Sequence, residues 1–416
     1  MTEAQFAQSS DSALPTEILL IYGSLRTGGI ETLIVRIANF LASSGVRVSV
    51  FCAAGGGLES TLDSQVNVIA YSETSDLIQA VKDQYKKRTN TGLLVMSFDP
   101  ISAARALMVE VVLSKYRQIA HLSGVFHPRA YFMTGERKDR IYLNYLLARA
   151  VGKSRLFFMN SECRDSHANR WGIDLSSSPI LALPINLADA TWQPSDNPIV
   201  RVVSVGRLVD FKTYNLGVAR VVRACLDRGI EVTWDIYGDG PLQASIIEEI
   251  KAHEVVSHVR LMGVLDYSSF SAKVAEYDLF VGMGTAALEA AMVGVPTICA
   301  TVDQATRCYG YLDNLPFGNV GELLANPPTQ ELADLIQDYS ASGQAQRTLL
   351  SKQGRAAAEK YGMPKFAEAL AAMTFNRQAK PNWLIKRSIA ELYRFATESY
   401  AAKAARRHVS KKKGRA

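Results

Sequence analysis

Short apolar runs alternate along this chain with longer segments whose apolar residues recur every three to four positions. The first run, 18–22, shows no polar alternation, which is typical of a parallel strand buried on both faces. A segment with helical periodicity, 30–44, ends before Gly45 and leads to a second apolar run at 46–52. This order predicts a β-α-β unit. The same pattern predicts further strands in the first half at 66–70, 93–97, 118–122, 156–160 and 180–184.

The polar, turn-rich segment 187–198 interrupts this rhythm and is predicted to link two domains. Strands that alternate with helices are typical of parallel α/β sheets. The rhythm resumes beyond the linker, with strands predicted at 200–205, 231–237, 258–262, 277–281 and 297–300. We therefore predict an α/β protein with two Rossmann-like domains that face each other across a cleft. The predicted segments are a disordered leader (1–16), the two domains (17–190 and 198–350), closing helices (351–375) and a basic amphipathic tail (376–416).

The composition narrows the class of protein. Of 416 residues, 48% are hydrophobic and 21% are charged, which is ordinary for a soluble globular chain. No apolar run approaches the ~18 residues that span a bilayer, and the N-terminus is polar and acidic, unlike a secretion signal. The five cysteines are scattered without a C-x-x-C pair, which argues against a disulfide framework or a zinc site. We expect a cytoplasmic protein.

Positive charge is concentrated at the C-terminus. Residues 377–416 hold 12 Lys and Arg against two Glu, whereas the rest of the chain has slightly more acidic than basic residues. A basic amphipathic helix suits an anionic membrane surface, so residues 382–415 are predicted to bind one; a helix docked on the body of the protein is the alternative. Nucleic acid is not an expected partner, because no fold that binds it is indicated. Apolar residues of this helix recur at positions 385, 389, 392, 393, 396 and 400.

Three predicted strands of the second half end in glycine-rich turns. The turn 206–212 contains Arg207 and Lys212, and two cations in one loop can converge on an anion. The turns 237–241 and 282–285 follow the next strands, and the second of them opens a helix whose first N–H groups suit a phosphate. Because ligands bind beyond the carboxyl ends of parallel strands, we predict one ligand site built from all three turns. For each turn alone, ordinary packing with solvated charges is the alternative.

Two features of the first half are also candidates. His127 follows a predicted strand with Arg129 beside it, where a functional role and a structural role are both open. Gly28 and Gly29 precede the first helix, where ligand contact and tight packing are the two interpretations. His121 lies within a strand and is expected to be buried and inert.

The segments VGRLVDFK, IYGDGP and GMGTAALEAAMVGVPTI, in this order, resemble the C-terminal half of retaining glycosyltransferases of the GT-B fold, of the GT4-like type known as glycosyltransferases group 1. The resemblance covers about residues 17–375; in the first half it rests on GGIE at 28–31 and on His127. It implies transfer of a sugar from a UDP- or GDP-sugar to a glycan or lipid-linked acceptor, with retention and without a metal or other cofactor. It also implies a role in bacterial cell-surface polysaccharide synthesis, and closing helices that return to the first domain. If the basic tail binds a membrane, the expected location is the inner face of the cytoplasmic membrane.

The resemblance implies roles for individual residues. Arg207 and Lys212 would bind the donor diphosphate and act in catalysis, Glu289 would hold the ribose, and His127 would contact the transferred sugar near its reacting face. The other residues expected at the donor are Gly28, Gly29, Gly206, Tyr237, Gly238, Val264, Met283, Gly284, Thr285 and Ala286.

Val281 departs from the family pattern. Many relatives carry a Glu eight positions before the second one, here Glu289, and that first Glu contacts the donor sugar. Its replacement leaves the identity of the sugar open. It also keeps open a catalytically inactive partner subunit that binds sugar nucleotide, beside a nucleotide-sugar 2-epimerase or a glycan phosphorylase on a similar scaffold.

Overall fold

The computed structural model describes residues 15–26, 28–53, 56–71, 74–85, 92–132, 138–374 and 384–394. The chain divides into two compact units, the first formed by 1–182 with 366–416 and the second by 183–365. The predicted leader lies outside the described residues except for 15 and 16. The predicted linker, 187–198, lies in the second unit, where Trp192 is buried and its indole N–H donates to the carbonyl of Tyr277 at 2.8 Å.

The apolar runs of the first unit form a parallel sheet. Its strands in the described residues are β1 (Glu17–Ser24), β2 (Arg47–Ala53), β3 (Asn67–Ala70), β4 (Leu93–Ser97), β5 (Ile119–Val125) and β6 (Leu156–Phe158). They lie in the order β3-β2-β1-β4-β5-β6, which is the doubly wound Rossmann order. The central strands β1 and β4 are buried along their apolar runs, as the absence of alternation predicts. The predicted 180–184 strand amounts to one bridge, between Ile180 and Phe158.

Helices connect these strands. Those of the first unit that the structure describes are α1 (Gly29–Ser43), α2 (Thr74–Tyr85), α3 (Pro100–Leu113), α4 (Lys138–Val151) and α5 (Ser161–Trp171). Ser161 begins the helix that follows β6, and the sequence predicts it as the cap of α5, which is wrong. Asn160 is the cap, and its side-chain oxygen accepts the N–H of Cys163 at 2.8 Å, because the extended backbone of Asn160 places its amide over the first turn.

The second unit also contains a Rossmann-like sheet. Its described strands are β7 (Val200–Val205), β8 (Val232–Tyr237), β9 (Val259–Gly263), β10 (Leu279–Gly282), β11 (Thr297–Ala300), β12 (Arg307–Tyr311) and β13 (Gln330–Glu331). They lie in the order β13-β12-β11-β10-β7-β8-β9. The first five in chain order are parallel, and β12 and β13 add an antiparallel edge that the sequence pattern did not predict. The α/β prediction with two Rossmann-like sheets is confirmed.

Buried hydrogen bonds hold the central strands of this sheet in register. The hydroxyl of Ser204 on β7 donates to the carbonyl of Val281 on β10 at 2.7 Å and accepts the indole N–H of Trp234 on β8 at 2.9 Å. Asp235 is buried beside these strands and accepts two hydrogen bonds from Arg260, each at 2.7 Å. A buried polar group is stable only when it is paired in this way, so the network fixes the strands whose ends carry the predicted ligand turns.

Helices cover both faces of the second sheet. They are α6 (Tyr214–Asp227), α7 (Gln243–Ala252), α8 (Phe270–Val274), α9 (Thr285–Val293), α10 (Leu332–Ala341) and α11 (Gln344–Glu359), and α12 (Met363–Thr374) spans the division between the units. No helix in the described ranges is long and apolar enough to cross a membrane. The five cysteines are buried free thiols.

A last described helix, α13 (384–394), belongs to the first unit and docks on its body. Tyr393 is buried, whereas Ile385 and Leu392 are exposed, so the predicted apolar stripe is divided between a docked face and an outer face. The alternative prediction, a helix docked on the body of the protein, therefore holds for residues 384–394. Positions 396 and 400 lie outside the described residues.

Two glycines in helix interiors are expected to change the stability of the second unit in opposite directions when they are replaced by alanine. A Cβ at Gly217 in α6 would lie 1.8 Å from the carbonyl oxygen of Ala305, whereas one at Gly354 in α11 would lie 3.8 Å from the nearest atom, the Cβ of Ala291. We expect Gly217→Ala to destabilise the second unit by about 1–3 kcal/mol because the backbone must move. Gly354→Ala should stabilise it by about 0.5–1 kcal/mol, because alanine favours a helix interior. Urea unfolding monitored by Trp fluorescence measures both; equal effects would contradict the close approach at Gly217.

Candidate functional site

The turns after β7 and β8 approach each other at their backbones. The N–H of Gly206 donates to the carbonyl of Tyr237 at 2.9 Å. A Cβ at Gly238 would lie 1.9 Å from the carbonyl oxygen of Gly206, and one at Gly240 would lie 2.3 Å from that of Leu208. The two glycines have φ angles of +146° and +149°, which side-chain-bearing residues rarely adopt. Glycine is therefore required here for both space and backbone conformation.

Lys212 folds back over the turn that contains it. Its Nζ lies 2.7 Å from the position that a Cβ on Gly206 would take, in the space that the glycine leaves open. Burial, with a smaller effect from the nearby positive charge of Arg207, lowers the pKa of Lys212 to about 8. Neither cation makes an ion pair with any described residue, and the guanidinium of Arg207 is exposed. The turn therefore presents two uncompensated positive charges that an anionic ligand would neutralise.

The turn after β10 leads into the N-terminus of α9. Gly284 has a φ of +74°, and its N–H donates to the carbonyl of Val320 at 2.7 Å. The next two N–H groups, of Thr285 and Ala286, make no hydrogen bond with the described part of the chain. Free N–H groups and the positive end of the helix dipole favour an anion at this position. Glu289 follows one turn later and is half-buried.

Strand pairing brings these three turns to one edge of the sheet. β7 pairs in parallel with β8 on one side and with β10 on the other, so their carboxyl ends are adjacent. This edge therefore combines Arg207, Lys212 and the N-terminus of α9, as the sequence predicted for a ligand site. Within the described residues, no group of three or more His, Cys, Asp or Glu side chains is arranged to hold a metal ion.

Three of the residues expected to bind the donor, Tyr237, Met283 and Val264, differ in how far their side chains are exposed. The side chain of Tyr237 is buried, with its hydroxyl 3.4 Å from that of Tyr277. Met283 is also buried, in the hydrophobic core of the second unit. Val264 is exposed directly after β9. The side chains of Tyr237 and Met283 thus pack beneath the turns, inside the protein. A ligand at this edge would contact the backbone of these residues rather than their side chains.

Val281 lies inside β10 and is completely buried. Its side chain belongs to the core that also holds Trp234 and Ile298. A carboxylate at this position would lose its hydration without gaining a described cation, so the surroundings of Val281 favour an apolar side chain.

A neighbouring loop supplies a carboxylate that the sequence pattern did not reveal. Glu322 is buried, and its carboxylate accepts the N–H of Val320 at 2.9 Å, the residue whose carbonyl binds Gly284. Its charge raises the pKa of the Cys299 thiol, although burial of that thiol is the larger cause. Glu322 therefore lies near the carboxyl end of β11, beside the turn after β10. The only local signal was the pattern Gly-Asn-Val-Gly-Glu at 318–322.

His127 in the first unit is half-buried, two residues beyond the end of β5. Its Nδ1 accepts the backbone N–H of Arg129 at 3.0 Å, so the neutral ring carries its proton on Nε2. Burial, together with the charge of Arg129, lowers its pKa. His121 is fully buried, with an Nε2 3.1 Å from the Ser97 hydroxyl and a pKa lowered to about 3 by burial, as expected for an inert histidine.

The glycines before α1 meet an acidic side chain. The carboxylate of Glu31 lies 2.3 Å from the position that a Cβ on Gly28 would take, whereas Gly29 faces open space. Burial raises the pKa of the Tyr22 hydroxyl at the end of β1, and the charges of Asp99 and Glu31 add to this effect. Asp99 and Glu31 therefore lie near the end of β1, where the guanidinium of Arg105 also lies 4.9 Å from the ring centre of Tyr71.

Comparison with solved structures shows extensive similarity in architecture. HepE of Anabaena in complex with UDP has a TM-score of 0.62 at 15% identity, over 86% of this chain and 98% of its own. TarM has a TM-score of 0.63 at 10% identity, over 86% and 99%. A glycosyltransferase from Rickettsia africae ESF-5 has a TM-score of 0.62 at 14% identity, over 87% and 99%.

The chain has the GT-B fold. These similarities extend over nearly the full length of each solved structure, and at such low identity they show the fold alone. No protein-family model matches the sequence, and no curated protein matches it.

The ionisation of Lys212 predicts a pH dependence of anion binding. The pKa of Lys212 is about 8, so its amine is largely charged at about pH 7, and about a tenth of the molecules remain charged at about pH 9. The affinity for inorganic pyrophosphate, measured by calorimetry, should therefore fall about tenfold between about pH 7 and about pH 9, relative to Lys212→Arg. The arginine variant stays charged over this range and controls for the ionisation of pyrophosphate itself. An equal pH dependence of both proteins would contradict the role of Lys212.

Restoring the glutamate of the family pattern should damage the protein. Val281→Glu places an unpaired carboxylate in the core, and we expect a loss of roughly 3 kcal/mol or more of unfolding free energy at neutral pH. The loss should shrink as the pH falls from the raised folded-state pKa of the new carboxyl towards about 4, the ordinary pKa of glutamate, because protonation removes its charge. Val281→Met, of similar size and without charge, should lose less and show no such pH dependence. Full stability of Val281→Glu at neutral pH would show that this position is open to solvent or to a cation.

Proposed function

We propose that the protein is a retaining glycosyltransferase that moves a sugar from a nucleotide-sugar donor to a hydroxyl of a glycan or lipid-linked acceptor in the synthesis of bacterial surface polysaccharide. The observation that carries this proposal is the basic sheet edge of the second unit, where Arg207, Lys212 and the N-terminus of α9 converge. Two similar structures support the choice of UDP over GDP, because HepE was solved with UDP and with UDP-glucose.

The chemistry of sugar transfer fits this edge. Cleavage of the bond between a sugar and a diphosphate places negative charge on the leaving group. Lys212, fixed over Gly206, and Arg207 would stabilise that charge as it develops, together with the free N–H groups of Thr285 and Ala286. Because these donors are already in place, little reorganisation is needed during the reaction. We infer that no metal ion is required for this step.

Two carboxylates near the end of β1 in the first unit suit the other substrate. Carboxylates such as Glu31 and Asp99 accept hydrogen bonds from hydroxyl groups and repel anions, so they favour a glycan hydroxyl over a phosphate. In the second unit, Glu289, one turn into α9, would hold the ribose. His127, two residues beyond β5, would contact the transferred sugar near its reacting face.

One observation favours a second candidate function. Val281 is buried in the core, so the carboxylate that relatives direct at the donor sugar is missing from its usual position. A protein that binds sugar nucleotide without transferring the sugar, and acts as the partner of an active transferase, would tolerate this loss.

Site variants test the proposed function. We expect Arg207→Ala and Lys212→Ala each to reduce kcat/KM by about 100-fold or more, since each removes a charge directed at the leaving diphosphate. Glu289→Gln should chiefly weaken donor binding, and His127→Ala should lower kcat more than donor affinity. Donor hydrolysis and transfer are measured over a panel of UDP-, GDP- and ADP-sugars, with binding followed by calorimetry.

Arg220→Ala provides the matched control, because Arg220 is an exposed cation on α6 of the same unit. It should behave as the wild type. Wild-type rates in the Arg207 and Lys212 variants would overturn the assigned site. Tight binding of one donor without turnover on any acceptor would favour the non-catalytic partner.

A further inference from the structure

The C-terminal helix α13 is anchored by a buried ion pair. Lys386 donates to both carboxylate oxygens of Glu110 on α3, each at 2.8 Å, and Arg155 donates to one of them at 2.8 Å. The hydroxyl of Tyr393 donates to the side-chain oxygen of Asn144 on α4 at 2.9 Å. Both ends of the described helix are therefore fixed to the first unit. These contacts also determine which side of the helix faces outwards.

That outer face carries three large apolar side chains, beside the exposed Ser388 and Glu391. Leu384, Ile385 and Leu392 are 57%, 54% and 53% exposed. A single exposed apolar side chain is ordinary, but three on one face of an 11-residue helix need a different explanation. Arg387 is exposed on the adjoining face and pairs with Glu391 at 2.8 Å.

The neighbouring helix α4 exposes a stripe of aromatic and basic residues. Lys138, Tyr142, Tyr145 and Arg149 recur at helical spacing on the side opposite its buried face. Tyr142 is 62% exposed, and its ring lies 6.3 Å from that of Tyr145. The guanidinium of Arg149 lies 5.9 Å from the ring centre of Tyr145. Because Asn144 of α4 holds Tyr393, the two helices are adjacent.

We propose that the outer faces of α4 and α13 form a surface that binds a bilayer containing anionic phospholipids. Leucine and isoleucine side chains enter the acyl boundary, tyrosines favour the headgroup level, and basic residues attract anionic headgroups. The chain beyond α13 supplies more positive charge: residues 395–416 hold seven Lys and Arg against one Glu. Apolar contact and concentrated positive charge are the two signals that stable peripheral attachment needs.

The charges argue for a membrane rather than for a second copy of this chain. In a symmetric dimer the same patch faces itself, so Lys138 and Arg149 of one copy would approach those of the other, and each chain would add the seven Lys and Arg of residues 395–416. An anionic surface neutralises these charges instead. The proposal does not depend on the sugar-transfer reaction, because it rests on residues of the first unit alone.

Vesicle flotation tests the surface without measuring activity. The full-length protein should float with vesicles of phosphatidylcholine containing roughly a third phosphatidylglycerol, and not with phosphatidylcholine alone; high salt should release it, since salt screens exposed charges. The double variant Ile385→Glu, Leu392→Glu should reduce the bound fraction about tenfold or more. Both side chains are exposed, so its thermal unfolding should match that of the wild type. Val256→Glu, at a 63% exposed apolar position of the second unit, is the matched control and should float normally.

A truncation after residue 394 separates the helices from the tail while leaving the pair of Lys386 and Glu110 intact. The truncated protein should float more weakly than the full-length protein. Its remaining binding should be lost when Ile385→Glu and Leu392→Glu are added. Failure of the full-length protein to bind anionic vesicles would overturn the proposal. Normal flotation of the double variant would also overturn it. So would a concentration-dependent dimer of the full-length protein that the double variant abolishes, if the full-length protein does not bind vesicles.

Discussion

The close approach of two backbone turns at the edge of the second sheet is the constraint on which the candidate site depends. Gly238 and Gly240 let the turn after β8 pack directly on the carbonyl groups of the turn after β7. Gly206, by lacking a side chain, leaves the space that the ammonium of Lys212 occupies. A larger residue at Gly238 or Gly240 would move the backbone of these turns, and one at Gly206 would displace the Lys212 ammonium, so the chemistry of the edge depends on the absence of three side chains.

The buried network beneath the edge gives these turns a rigid base. Ser204 connects three strands through one hydroxyl, and Asp235 is held by Arg260 and by the Tyr277 hydroxyl at 2.6 Å. Burial and this bond to Asp235 raise the pKa of the Tyr277 hydroxyl, which therefore remains a donor. Fixed strands matter for electrostatic stabilisation, because charges and N–H groups are effective only when they are already oriented.

The two sheets share one architecture and differ in the side chains at their strand ends. Both have the doubly wound order, and both place a glycine-rich turn before a helix. In the first unit the start of α1 is already covered by the Glu31 carboxylate, whereas the start of α9 has two cations nearby and free N–H groups. The same architecture thus favours different ligands according to a few side chains at the strand ends.

The sequence by itself determined the parallel strands of both sheets, the helices between them and the three turns, because each depends on local periodicity and on glycines close together in the chain. It also brought Arg207 and Lys212 into one loop. Only the tertiary structure decided the burial that shifts the Lys212 pKa, the apolar surroundings of position 281 and the approach of Glu322 to the turn after β10. The division of the tail stripe was decided by Lys386 and Glu110, which are 276 residues apart. Burial and long-range pairing arise from contacts between segments that are distant in the chain, and no local pattern records them.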